Sequence, residues 1–420
     1  MKQRMQILPG VFLTAVQTDK FKTGCVSLNF LRPLRHEEAA ANALLPSVLL
    51  RGCKGYPDIR SISERLDELY GASVGALIRK RGEVQTVGFF ADFVEDELVG
   101  EPVFEPVMDF VRQTLLEPVS ENGCFCGDYF EGEKYNLANA IASAVNDKRT
   151  YATMQMLKTM CAGEPYGIAR LGEMEDLEKL DAQALYAHYR AVLASSRAEL
   201  FYMGRQTPEQ AAQVLQRALC ALPREKSVQT GTAVRTEAKP VRTVRERMDV
   251  TQGKLSMGFC TGCTVKDENY PAMLMLNTIF GGGISSKLFV HVREEMSLCY
   301  YAGSALDAHK GVMLVSSGIE FDKFETARDE ILHQLDACRE GEISDYEFES
   351  ARGYLLSDLK AGMDSPGRLD EFYLSRSLQG LDETMEDLAG RIAAVTKRQV
   401  MDAAKQVQLD TVYFLEGVQA

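Results

Sequence analysis

Residues 279–304 read IFGGGISSKLFVHVREEMSLCYYAGS. Three consecutive glycines, Gly281, Gly282 and Gly283, follow an apolar run of helical character, where glycine is a stop signal. The opening FGGGISS has the glycine content of a phosphate-cradling loop. It lacks the G-K-[ST] ending and no clear strand enters it, so the pattern predicts a helix stop with Ser285 capping the next helix. Further on, His291 and Glu294 stand three residues apart in HVREE without a second histidine, and both read as surface residues of a helix.

Upstream of this stretch, GKLSMGF alternates as a strand does and YPAMLMLNTIF is helical. Downstream come two β-rich runs, two long helical stretches (322–339 and 344–360) and the apolar strand TVYFLEG. The first half has the same outline. CVSLNFLRPL is β-like, residues 37–51 are helical, and Ile59, Ile62, Leu66 and Leu69 share a helix face that stops at Gly71. SVGALIRK and EVQTVGFF flank Arg81-Gly82 as a hairpin, helices are expected over about 151–161 and 181–193, and ELFYMG closes the half. A shift of 229 residues places Gly52 on Gly281 and Leu69 on Leu298. Residues 223–248 are polar and without apolar periodicity, as in a partly extended linker. The expectation is an α+β protein of two homologous domains, 1–222 and 249–420, each an antiparallel sheet with helices packed on it.

Bulk properties narrow the function. A chain of 420 residues exceeds what one core normally serves. Its 60 acidic residues outnumber 47 basic ones, and the net charge of −13 disfavours nucleic-acid and membrane-surface partners. No stretch approaches the roughly 18 apolar residues of a membrane span, and MKQRMQILPG is a poor signal peptide. Ten irregularly spread cysteines suit a reducing compartment, so a cytoplasmic location is expected. Cys124 and Cys126, and Cys260 and Cys263, are close pairs that a Cys₄ zinc site or a redox pair would need, but their spacing is irregular and incidental cysteines are the better reading. The nearest two of five histidines are 18 residues apart, which excludes an H-x-x-x-H pair, and G-x-S-x-G is absent. Composition and spacing by themselves supply no complete catalytic constellation.

A family resemblance adds to this. Gly281 to Gly283, Ser286, Leu288, Phe289, Arg293, Glu294, Leu298 and Tyr300 follow a Gly-rich stop, S-[SR]-L-F, R-E and L-x-Y, with Arg293 seven residues before Tyr300. EPYGIARLGEMEDL (164–177) is similar to H-P-x-G-x-x-x-x-G. With the duplicated domains, the chain resembles the pitrilysin/insulinase-type zinc peptidases, which include the mitochondrial processing peptidase subunits. In active members the first helix carries H-x-x-E-H, two zinc-binding histidines and a general base, and a later helix adds a glutamate. Matching K-G-T to Arg51, Gly52 and Cys53 puts Ala43 and Ser47 at the histidines and Pro46 at the base, and matching through EPYG puts Ala140 near the distal glutamate. Alanine has no donor atom, serine is a poor ligand, and proline has no base and costs about 3 kcal/mol inside a helix. The resemblance therefore implies no zinc and no cofactor in this chain, with zinc expected only in a partner.

Arg and Tyr at the places of Arg293 and Tyr300 reach, in the family, to the carbonyl of the bound peptide. The alternative is that Arg293 pairs with a nearby carboxylate and Tyr300 packs in its own domain. The resemblance implies a non-catalytic subunit that pairs with an H-x-x-E-H homologue or with itself and binds peptide or unfolded polypeptide. LDELYGAS (66–73), NDKxxYA (146–152) and SKLFxxVRE (286–294) are most similar to a bacterial subgroup associated with the 5-aminopentanol modification of elongation factor P. Two other readings stay open. One is a stand-alone or homodimeric scaffold that adds a peptide strand to the hairpin at 73–90. The other is a thiol-dependent enzyme using Cys260 or Cys263, which lacks a paired histidine.

Overall fold

The structure is a computed structural model that describes residues 2–418. It divides into two compact units, and neither is a continuous piece of chain. The first comprises residues 1–142, 168–231 and 369–378, and the second comprises 143–167, 232–368 and 379–420.

The first unit is built on six strands: β1 (Lys2–Leu8), β2 (Val11–Gln17), β3 (Thr23–Pro33), β4 (Ser73–Arg81), β5 (Val84–Val94) and β6 (Arg197–Gly204). They lie in the order β1-β2-β6-β3-β5-β4, antiparallel except for the β2/β6 pair. The second unit has β7 (Arg242–Met248), β8 (Gly253–Cys260), β9 (Cys299–Asp307), β10 (Val312–Ile319) and β11 (Gln408–Gly417). Their order is β9-β10-β8-β11-β7, again antiparallel with one parallel pair, β7/β11. Read from β2 and from β7, the two strand orders are the same permutation. The duplication is therefore topological, and β1 is an extra edge strand of the first unit.

Each sheet carries one parallel pair because its last strand returns through a helical crossover and not through a hairpin. The stretch expected as a linker is divided accordingly. Residues up to 231 belong to the first unit, and Arg242–Met248 forms the outer strand β7. Its residues alternate regularly between half-buried and exposed, but Arg242 and Glu246 stand on the half-buried face and Arg245 and Arg247 on the exposed one, so the apolar–polar alternation that signals a strand is absent.

The first core is dominated by apolar residues of β2, β3, β5 and β6 and by helix α1 (His36–Leu49), whose Ala40, Ala41, Leu44, Leu45 and Val48 face it. Glu37 and Glu38 suit the positive end of α1, and Pro46 lies in its interior. Nine successive residues of β3 are buried, so both faces of the sheet are covered there. Leu374, from helix α4 (Pro366–Leu378), packs on Leu31 and Val84. Helices α2 (Gly127–Ser143) and α3 (Lys148–Met160) follow one another in the chain, yet α3 belongs to the second unit. There Met156 and Met160 lie over Gly258, where a Cβ would approach their sulfurs to 2.5 and 2.7 Å.

Buried charge fastens these distant segments. Arg235 donates to Glu164 (3.0 Å), Asp410 (2.9 Å) and the Met160 carbonyl (2.6 Å). Lys310, fully buried, pairs with Glu164 at 2.8 Å. Nothing in a local sequence window announces this network, since its members are scattered from Glu164 to Asp410.

Candidate functional site

Helix α1, which the resemblance matches to the metal-binding helix of active members, is intact as a helix but has no ligand side chain at the matched positions. Ala43 is packed in the core and Pro46 is buried in the same helix. Ser47 is half-buried, and Ala140 is exposed on α2. These residues do not fit a zinc ion: none offers nitrogen, thiolate or carboxylate. Among the described residues no three His, Cys, Asp or Glu side chains are grouped to hold a metal.

Beside Ala43 the structure places a polar chain that sequence reasoning missed. Asn42 is fully buried and donates to the Gln85 side-chain carbonyl at 2.9 Å. Its own carbonyl lies 2.7 Å from His188 Nε2. Because Asn42 Oδ1 can only accept, Nε2 carries a proton in this contact. Gln85 in turn donates to the carbonyls of Ala39 and Arg170. Burial pushes the His188 pKa down to about 4. A lone asparagine within an apolar helix was the one available signal; its partner in another helix gave none.

The thiol candidates are chemically quiet. Cys260 is buried, donates to the Arg235 carbonyl at 3.0 Å, and is pushed up by burial. Cys263 is pushed up to about 12 for the same reason. Neutral thiols are weak nucleophiles. Cys124 and Cys126 lie half-buried on a small hairpin of the first unit.

Arg293 and Tyr300 both sit on backbone irregularities. Ser286, not Ser285, accepts the capping bond from Phe289 N–H (3.4 Å), and the buried Lys287 beside it pairs with Glu347 at 2.9 Å. Leu288–Glu295 then winds as a widened helix closed by Met296 N–H to the His291 carbonyl, five residues back. Such widened turns are rare and concentrate at functional sites. Ser297 has a left-handed backbone (φ +49°), which turns the chain so that Leu298 plugs the core. In the following strand Cys299 pairs with Ile319 and Tyr301 with Gly318, which leaves Tyr300 as the extra residue of a bulge. A bulge aims a side chain out of the ladder. Tyr300 is accordingly 71% exposed. Arg293 lies over the Phe289 ring (4.6 Å) and 3.4 Å from Glu294. Both line a groove of about 280 Å³ with Ser297, Cys299 and Glu320. Of the alternative reading, Arg293 does have a neighbouring carboxylate, whereas Tyr300 does not pack.

His291 pairs with Glu295 at 2.7 Å. The hairpin considered for strand addition ends in β4, which is an edge of the first sheet, and a two-residue turn with Gly82 at φ +58° joins it to β5.

Comparison with known proteins agrees with this architecture. A family model described as peptidase M16 inactive domain matches residues 179–355. The Bacillus subtilis protein named probable inactive metalloprotease YmfF is 31% identical over 412 residues, which is 98% of this chain and 96% of that protein. A conserved protein from Enterococcus faecalis superposes with a TM-score of 0.90 at 30% identity, covering 100% of this chain and 99% of the other. A peptidase M16 inactive domain from Pseudomonas fluorescens shares the fold, with a TM-score of 0.81 at 16% identity over 99% of this chain and 98% of its own.

Proposed function

The chain belongs to the M16 (pitrilysin/insulinase-type) peptidase family as a member without the catalytic set, and we propose on that ground that it is the metal-free subunit of a two-chain peptidase. In this reading the partner carries H-x-x-E-H and its zinc. This chain contributes peptide-binding surface, with Arg293 donating to the bound peptide's carbonyl and Tyr300 adding a second donor where negative charge develops on the carbonyl oxygen. The observation that carries the reading is Tyr300 itself: a bulge turns it out of the sheet to 71% exposure beside Arg293, when the same residue in register would lie within the ladder. A cytoplasmic location is proposed from the ten irregularly spread cysteines, and a place in the modification of elongation factor P from the sequence resemblance.

Native affinity purification with mass spectrometry of stoichiometric partners tests the pairing. A one-to-one H-x-x-E-H homologue is expected, and recovery of the chain alone counts against the proposal. In the complex, Arg293→Ala and Tyr300→Phe are expected to lower the peptidase rate by about 10²-fold while leaving assembly intact. The isolated chain, incubated with zinc and desalted, is expected to retain well under one zinc per chain.

A second reading, a peptide-binding scaffold acting alone or as a homodimer, is favoured by the edge position of β4. Peptide binding by the isolated chain that is lost on placing proline in β4 would select it.

A further inference from the structure

On the face of the second sheet that carries α3, two cations share one aromatic ring and have no acid of their own. The Arg149 guanidinium lies 4.4 Å from the centre of the Tyr301 ring, and Lys254 Nζ lies 5.8 Å from it. Lys254, Gly318 and Tyr301 form one row across β8, β10 and β9. The glycine lets the ring lie flat across the row, since a Cβ there would come within 2.5 Å of it. Arg149 Nε donates to Ser316 Oγ at 3.3 Å, which leaves its two terminal nitrogens to other partners. Lys254 Nζ donates to Gln252 Oε1 at 2.6 Å.

Among the described residues neither cation has a carboxylate within 4.0 Å. The nearby acid, Asp147, is committed to the N–H groups of Arg149 and Thr150 (3.1 Å each) and to the Thr150 hydroxyl (2.6 Å). The Tyr301 hydroxyl is buried without a hydrogen-bond partner. The cluster thus holds two positive charges and a spare hydroxyl donor, and what it lacks is an anionic acceptor. A planar carboxylate matches the guanidinium fork with two parallel N–H···O bonds. Its single charge also suits a chain of net charge −13 better than a dianion does.

We propose that Arg149, Lys254 and the Tyr301 hydroxyl form a seat for a carboxylate, the C-terminal carboxylate of a bound peptide. Tyr301 follows Tyr300 directly, so this inference rests on the reading that a peptide lies at the Arg293–Tyr300 groove. It adds a polarity and a length limit to that peptide: its C-terminus ends on the second sheet.

The test is fluorescence anisotropy with a fluorescein-labelled octapeptide, as the free acid and as the C-terminal amide. The free acid is expected to bind at least tenfold more tightly. Arg149→Gln with Lys254→Gln is expected to abolish that difference, and Tyr301→Phe to reduce it severalfold. Equal affinity of acid and amide for the native chain overturns the seat. If neither peptide binds, the peptide reading fails, and the seat is then judged by acetate against chloride at equal ionic strength. A rise in Tm with acetate that the double variant lacks supports it, and no difference between the salts overturns it.

Discussion

Ser27 donates a 2.6 Å hydrogen bond to the buried carboxylate of Asp370, across 343 residues of chain. Asp370 also pairs with Arg79, which donates to Asn29 at 3.2 Å and to Glu371. A segment from the C-terminal half therefore completes the first unit, and its charge is neutralised inside that unit's own sheet. In the second unit Glu164, held by Arg235 and Lys310, does the same for a segment from the N-terminal half.

Removing one partner of such a pair leaves the other charged and buried. Asp370→Ala is expected to lower the unfolding free energy by about 3–5 kcal/mol in urea titrations. Asp358→Ala, which breaks the half-exposed pair with Arg368, is expected to cost less than about 1 kcal/mol. Equal effects would show that burial of Asp370 is not what matters.

The discontinuous units predict that a cut at the sequence boundary is not a cut between folding units. Residues 1–231 alone lack 369–378, so Leu31, Val84 and Arg79 lose their cover. The fragment is expected to bind hydrophobic dye and to unfold without a cooperative transition. A synthetic peptide of residues 363–380 is expected to restore the transition in trans.

His188 gives an acid-side dependence. Its pKa falls from the ordinary 6.5 to about 4 in the folded chain because burial penalises the imidazolium. The unfolded chain binds the proton first, so this group's contribution is complete above pH 6.5. It is lost as pH falls toward 4, by at most about 3 kcal/mol. His188→Gln is expected to flatten the rise of stability between pH 4.5 and 7. Asn42→Leu leaves Gln85 and His188 without their shared partner and is expected to destabilise by about 1–3 kcal/mol at pH 7.

Glu95 works in the other direction. It is buried, accepts a 3.1 Å bond from the Arg205 N–H, and burial pushes it from 4.5 up to about 7. The folded chain holds this proton more tightly, so the contribution is full below pH 4.5 and is lost as pH rises through 7. Glu95→Gln keeps an acceptor for Arg205 and removes the charge. Its Tm is expected to exceed the parent's at pH 8 and to match it at pH 4.5.

Much of the fold was legible because its elements are local. The helix face of Ile59, Ile62 and Leu66, the turn between β4 and β5, and the long helices near 322–339 and 344–360 each lie within windows of ten to twenty residues, and Gly71 and Gly82 punctuate the first two of them. The parallel pair in each sheet and the charged strand β7 were not legible, because they depend on which distant strand lies alongside.

The candidate site divides in the same way. Donor atoms belong to residue types, so it was legible before any fold was known that Ala43, Pro46, Ser47 and Ala140 offer neither a strong zinc ligand nor a base. That loss, the duplication and the presence of Arg293 and Tyr300 are all properties of the residues in their order. The outward aim of Tyr300 and the turn of Tyr301 under Arg149 are not, because a bulge exists only relative to the register of β9 against β10. Likewise, it took the packed units to show that α3 and the end of α4 cover sheets that their sequence neighbours do not build. Burial of Asp370 beside Arg79, and of Arg235 and Lys310 beside Glu164, joins residues too far apart in the chain for any local pattern to record.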